Sequence, residues 1–230
     1  MKTTGIIGGL SPQSTMKYYQ WLNEGVEQRL GKYHSARILL SSVDFGEFVA
    51  LKNKDDWETQ ARILVEQAQA LERCGADFII LATNTMHKMA EQIENALKIP
   101  FLHLAEATAD RIKELNLKTI GLLGTRYTME MDFYKKRLVR KGLNVLIPEK
   151  QEREIINNII YEELCYGVIK STSRSKFKEI IKGLEEKGAQ GVILGCTEIT
   201  LLVGQRDSSI PVFDTTKIHV EKSLEYIFGN

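Results

Sequence analysis

The sequence predicts an α/β fold of two pseudo-symmetric lobes, each a mostly parallel sheet flanked by helices, with the active site in the cleft between the lobes. Three observations carry that expectation. Short runs are almost continuously apolar, amphipathic stretches lie between them, and the whole pattern recurs about half a chain further on.

The apolar runs are Thr4 to Ile7, Ala36 to Leu40, Phe78 to Leu81, Thr119 to Leu123 and Gly191 to Leu194. Near-continuous apolarity marks strands covered on both faces, as in parallel sheets. Between them, Glu58 to Arg73 carries Ala61, Leu64, Val65, Ala68 and Leu71 at three-to-four spacing. Ser173 to Lys187 does the same with Phe177, Ile180, Ile181 and Leu184. That spacing gives a helix one apolar face, and strands alternating with such helices build βαβ units.

Three features recur at nearly one separation. Gly-Ile-Ile-Gly-Gly at 5–9 answers Gly-Leu-Leu-Gly-Thr at 121–125. The stretch 73–85, ending in Thr83-Asn84-Thr85, answers 186–198, ending in Cys196-Thr197-Glu198. Ile99-Pro100 answers Ile210-Pro211. The separations are 116, 113 and 111 residues (5 to 121, 83 to 196, 100 to 211). Repeats this long are lobes and not turns of a solenoid. The expected division is an N-terminal lobe of 1–105, with 213–230 packing back on it, and a C-terminal lobe of 106–212. The crossing reads as a helix from Glu106 to Leu115. A final helix, Lys217 to Phe228, needs a surface on which to bury Ile218, Leu224 and Ile227.

Composition narrows the function. The 230 residues are 43% hydrophobic and 27% charged, and 31 basic side chains nearly cancel 30 acidic ones, leaving a formal charge of +1. Nucleic acid and anionic membranes select a basic excess, so neither is expected as a partner. No run reaches the roughly 18–20 apolar residues of a membrane span, and Met1 to Gln13 lacks the apolar core of a signal peptide. Cys74, Cys165 and Cys196 are odd in number and irregularly spaced, which fits neither a disulfide framework nor a zinc site. Reduced thiols in a cytoplasmic protein with no metal are the expectation, and Cys74 and Cys165 read as packing residues.

In open α/β sheets, ligands bind outside the carboxyl ends of the strands, so the loops there hold the candidate chemistry. Gly8-Gly9-Leu10-Ser11 follows the first strand and precedes a helix, which suits a small carboxylate held by N–H groups and hydroxyls. It is neither a dinucleotide fingerprint nor a Walker loop. Thr83-Asn84-Thr85-Met86-His87 and Cys196-Thr197-Glu198 begin at the ends of matching strands. A Cys near a helix N-terminus is expected to have a lowered pKa and to serve as a thiolate base or nucleophile. His87 lies four residues after Thr83, placed either to orient a cleft group or as a helix-capping or partly buried histidine. Asp44 and Asp214 follow strands, where the strand ends would put them near the cleft, and read as hydrogen-bonding groups for catalytic-loop backbone without being catalytic themselves.

The motifs Gly8-Gly9-Leu10-Ser11, Thr83-Asn84-Thr85-Met86-His87-Lys88 and Gly195-Cys196-Thr197-Glu198 resemble those of the aspartate/glutamate racemase superfamily. The similarity runs along nearly the whole chain and includes Leu123 to Met129. The resemblance implies exchange of the α-proton of an amino acid by facing residues, one per lobe, without pyridoxal phosphate or any other cofactor. The usual pair is Cys and Cys. Here Thr83 stands first, which resembles an L-aspartate/glutamate-specific subgroup with Thr and Cys. The resemblance thus assigns Thr83 and Cys196 as catalytic, with Ser11, Asn84, Thr85, Thr125 and Thr197 as substrate-binding residues. Where two-cysteine members place a basic residue before the second Cys, this chain has Cys165. Lys52, expected on the loop after the second strand, is then the candidate for a distal carboxylate. A homodimer is also implied. Two other readings stay open: a one-thiol decarboxylase or cis–trans isomerase of the same superfamily, and an amino-acid-binding protein without catalysis.

Overall fold

The computed structural model describes residues 1–229, which divide into two compact units. One comprises Met1–Leu104 with the segment from His219 onward, and the other Ala105–Ile218. The segment 213–218, expected with the first lobe, therefore falls in the second unit.

The first unit contains β1 (Thr4–Gly8), α1 (Pro12–Leu30), β2 (Ile38–Ser42), α2 (Phe45–Asn53), α3 (Trp57–Arg73), β3 (Phe78–Leu81), a 3₁₀ turn (Thr85–Met89), α4 (Ala90–Ala96) and β4 (Phe101–Leu102). Its four strands are all parallel, in the order β2-β1-β3-β4. Chain order and sheet order differ because each parallel pair needs a crossover, here supplied by helices. β1 and β3 are buried at every residue, as their apolar runs predict. β2 departs from expectation: it starts two residues later, lies at the sheet edge and is only partly covered, with Leu40 exposed. An edge strand has a neighbour on one side only, so its apolarity does not measure two-sided burial.

The second unit contains α5 (Leu104–Glu114, whose first residue ends the first unit), β5 (Thr119–Gly124), α6 (Arg126–Glu130), α7 (Asp132–Arg140), β6 (Asn144–Leu146), α8 (Lys150–Glu162), a 3₁₀ turn (Leu164–Tyr166), α9 (Ser171–Glu186), β7 (Val192–Gly195), α10 (Ile199–Leu202), a 3₁₀ turn (Gln205–Asp207) and β8 (Val212–Asp214). Its sheet is again parallel, in the order β6-β5-β7-β8, so the sequence repeat is a repeat of topology. The registers match too: Ile7 pairs with Leu81 as Leu123 pairs with Leu194.

The helices close each sheet. α3 buries Ala61, Leu64, Ala68 and Leu71 beneath Ile7, Ile79 and Leu81. α9 buries Phe177, Ile180, Ile181 and Leu184 beneath Leu123, Val192 and Leu194. The last helix, α11 (Thr215–Phe228), starts in the second unit and crosses into the first at His219. There Val220, Leu224 and Ile227 pack with Tyr18, Leu22, Phe78 and Ile80. Among the described residues, no helix is long and apolar enough to cross a membrane.

Candidate active site

In the second unit, β5 and β7 carry the Cys196 loop to the sheet's carboxyl edge. Close approach of their ends depends on glycine: a Cβ at Gly195 would sit 2.8 Å from the Leu123 carbonyl oxygen and 3.2 Å from Thr128 Cγ2. The Thr215 hydroxyl donates to the Leu194 carbonyl at 3.0 Å, which fixes the strand end just before the thiol. Cys196 is buried, and its Sγ–H donates to Glu198 Oε2 at 2.9 Å.

This geometry corrects the expected low thiol pKa. Burial pushes Cys196 well above the ordinary 9.0, and the adjacent Glu198 carboxylate adds both its charge and a hydrogen bond that favours the protonated thiol. The Glu198 backbone N–H acts in the opposite direction but does not prevail. The helix that follows has only four residues, Ile199–Leu202. A macrodipole that short offers little against burial and a neighbouring negative charge.

Three further groups surround this thiol or its neighbours. Tyr161 on α8 and Cys165 in the 3₁₀ turn are electrostatic neighbours of Cys196, and Tyr127 on α6 is a neighbour of Tyr161. Burial, then the surrounding Cys196, Cys165, Tyr127 and Glu198, raises the Tyr161 phenol and keeps it a neutral donor. Sequence spacing does not mark Tyr161 or Tyr127, because α6 and α8 reach Cys196 only through tertiary packing. Glu198 was visible as the third residue of its motif, but its partner was not. Cys165 is half-buried beside the same cluster of core residues.

In the first unit, β1 and β3 carry the equivalent loop. Ser14 Oγ donates to the Ala82 carbonyl at 3.0 Å, so the end of β3 is fixed as the end of β7 is. Thr83 is half-buried, while Asn84 and Thr85 are buried. His87 is buried in the 3₁₀ turn, with Nδ1 2.7 Å from the Thr83 carbonyl oxygen and Nε2 3.2 Å from the Leu104 backbone nitrogen.

The Gly8–Ser11 loop spends part of its capacity internally. Gly9, at φ +87°, lies where a Cβ would meet the Val43 carbonyl oxygen, so only glycine fits. Its N–H donates to Thr15 Oγ1 at 2.8 Å. Ser11 is the N-cap of α1, with Oγ accepting from Ser14 N–H at 3.4 Å. Thr125 caps α6 in the same way through Thr128 N–H. Thr197 is buried, and its carbonyl accepts from Thr200 Oγ1 at 2.7 Å.

Lys52 is not on a loop: it occupies the last turn of α2, because Asp44 caps that helix and starts it directly after β2. Asp44 Oδ1 accepts from Gly46 N–H at 2.7 Å, and Asp214 Oδ1 accepts from Thr216 and Lys217 N–H at 2.9 and 3.1 Å. Both aspartates serve helix starts. Cys74 is exposed at the end of α3 and is not a packing residue. Among the described residues, no group of three or more His, Cys, Asp or Glu side chains could hold a metal ion.

Matching parallel sheets that end their third strand in a polar loop, one bearing a hydroxyl and the other a thiol, agree with a family match along the chain. The Asp/Glu/Hydantoin racemase model covers residues 7–223, and the chain belongs to that family. It is similar to the broad specificity amino-acid racemase RacX of Bacillus subtilis (strain 168), at 25% identity over 219 residues and 92% of each chain. Among solved structures it resembles a candidate Asp/Glu racemase from Yersinia pestis, with 51% identity and TM-score 0.95 over 99% of this chain and 100% of that one. An aspartate racemase homologue from Pyrococcus horikoshii OT3 has 39% identity and TM-score 0.88, over 99% of this chain and 100% of that one.

Proposed function

We propose that this chain racemises an acidic amino acid, aspartate or glutamate, by exchange of the α-proton between Cys196 and Thr83, without pyridoxal phosphate or metal. The observation that carries the reading is the equivalence of the two loops. Thr83 and Cys196 stand two residues past Leu81 and Leu194, which hold the same register position in two sheets of one strand order. Racemisation needs a base on one face of Cα and an acid on the other, and a thiol and a hydroxyl at matching loop positions are groups of that kind.

The protonated resting thiol sets the first step. Cys196 gives its proton to Glu198, already at hydrogen-bond distance, and the thiolate takes the proton from Cα. The Thr83 hydroxyl, or a water that it positions, delivers a proton to the opposite face; it is then reprotonated through solvent as Glu198 releases the proton it took, which restores the resting site. Ser11, Asn84, Thr85, Thr125 and Thr197, with nearby backbone N–H groups, hold the α-carboxylate and stabilise the enolate-like charge that develops. Lys52 holds the distal carboxylate. Because Thr is a far weaker acid than Cys, the two faces are unequal. The enantiomers nevertheless have equal free energies, so kcat/KM matches in the two directions.

Incubating each L- and D-amino acid in deuterated water tests the reading. Aspartate or glutamate is expected to gain α-deuterium and to invert, with exchange of one enantiomer outpacing net inversion. Cys196→Ser is expected to lose both by about a hundredfold or more; normal inversion by that variant would refute the assignment. The single thiol at the paired positions also suits a decarboxylase, and release of carbon dioxide from a substituted malonate, without α-exchange of amino acids, would favour that chemistry. Sedimentation of the purified chain tests the homodimer.

A further inference from the structure

His87 has both ring nitrogens committed. Leu104 N–H can only donate, so Nε2 facing it at 3.2 Å is a bare acceptor. The ring proton is therefore on Nδ1, which faces the Thr83 carbonyl oxygen at 2.7 Å. A carbonyl can only accept, so both partners demand the same neutral tautomer. The ring is held from its sides as well, with His103, Phe101 and His219 ring centroids at 4.6, 5.7 and 6.1 Å. His87 is 1% exposed. Hydrogen bonds to the Ala82 and Thr83 carbonyls, from Ser14 Oγ and His87 Nδ1, thus tie two successive peptide groups of this loop.

The Cys196 loop is built differently at the matching place. Thr83 aligns with Cys196, so His87 aligns with Thr200, a hydroxyl in place of an imidazole, which donates to the Thr197 carbonyl three residues back at 2.7 Å. The weaker acid of the pair is the one whose backbone is tied by a buried imidazole to a distant part of its unit. A poor proton donor depends most on alignment, since a misplacement of about 1 Å can cost about a hundredfold in rate.

We propose that His87 is the positioning residue of the Thr83 loop: Nδ1–H fixes the Thr83 carbonyl and so the direction of its hydroxyl, while Leu104 N–H locks the ring in that tautomer. The proposal rests on the reading of Thr83 as the second proton-exchange group.

Two substitutions separate the two halves of the clamp. In His87→Asn, the amide nitrogen takes the place of Nδ1 and keeps the bond to Thr83. In His87→Gln, the amide oxygen takes the place of Nε2 and keeps only the bond from Leu104. Exchange without inversion requires Cys196 alone, whereas inversion requires Thr83 as well. The ratio of inversion to α-deuterium exchange therefore reads the Thr83 side. It is expected to fall about tenfold or more in His87→Gln, to follow Thr83→Ala in direction, and to recover in His87→Asn. A purely structural role would lower inversion and exchange together in both His87 variants, and that result, or an unchanged ratio in His87→Gln, would overturn the proposal. If Thr83→Ala keeps the normal ratio, the reading of Thr83 fails instead. Methyl NMR of Thr83 in the resting protein then still decides the clamp: rotamer averaging is expected to rise in His87→Gln and not in His87→Asn. Equal averaging in the two would overturn it without reference to activity.

Discussion

Acid is expected to destabilise the first unit through His219. Its ring is fully buried, with Nε2 2.9 Å from the Leu102 carbonyl oxygen and Nδ1 2.9 Å from Tyr18 Oη. The carbonyl can only accept, so Nε2 carries the proton and Nδ1 accepts from the phenol. Burial lowers the pKa from 6.5 to about 4, against the smaller opposing effect of the Leu102 carbonyl. Below pH 6.5 the unfolded chain therefore binds a proton that the folded chain refuses. The stabilisation is complete above 6.5 and is lost as pH falls toward 4. At about 1.4 kcal/mol per pKa unit, the loss amounts to about 3 kcal/mol. That is a large part of the roughly 5–15 kcal/mol that holds a domain together. His219→Gln replaces the ring with a neutral amide, so this part of the acid slope should vanish while ordinary carboxylate titration remains. Urea unfolding of both proteins at steps between pH 7 and pH 4 measures the difference. Equal acid slopes, or an NMR midpoint for His219 near 6.5, would refute the reasoning.

Other expectations follow from the same physics. Glu198→Gln removes the charge beside Cys196, so the thiol pKa should fall, as followed by thiolate absorbance near 240 nm, while exchange activity drops for want of a proton acceptor. Because the folded pKa of Cys196 lies above 9.0, its contribution to stability is present below that pH and lost above it. Cys196→Ser should therefore unfold with a flatter alkaline limb than the parent. Gly195→Ala sets a methyl against the Leu123 carbonyl and should cost about 1–3 kcal/mol in chemical denaturation. Gly183→Ala, inside α9 with open space at its Cβ, should instead gain about 0.5–1 kcal/mol.

Elements with a strong period were legible residue by residue. The helices read at 58–73 and 173–187 form at Trp57–Arg73 and Ser171–Glu186, and β3 forms where Phe78 to Leu81 indicated. β4, β6 and β8 have only two or three residues each, too few to set up a period. The Ile-Pro pair ahead of β4 and β8 was a sign of repetition and not of a strand. Lys52 was misplaced because Asp44 starts α2 at once, and a cap changes the element of every residue behind it. The loops bearing Thr83 and Cys196 were found, but their surroundings were not. Tyr161, Cys165 and Tyr127 are far in sequence from the thiol and on other elements.

The sequence by itself determined the duplicated parallel sheets and the polar residues at their carboxyl ends, because periodicity and repetition are local patterns that one chain displays. Only the tertiary structure decided the chemical state of those residues. A helix N-terminus, read locally, favours a thiolate; burial and the Glu198 carboxylate, both consequences of packing, make Cys196 a thiol. A histidine four residues past Thr83 had no fixed role until Leu104 and the Thr83 carbonyl supplied one acceptor's partner and one donor's partner. Protonation depends on what surrounds a group in three dimensions, and no sequence spacing encodes that.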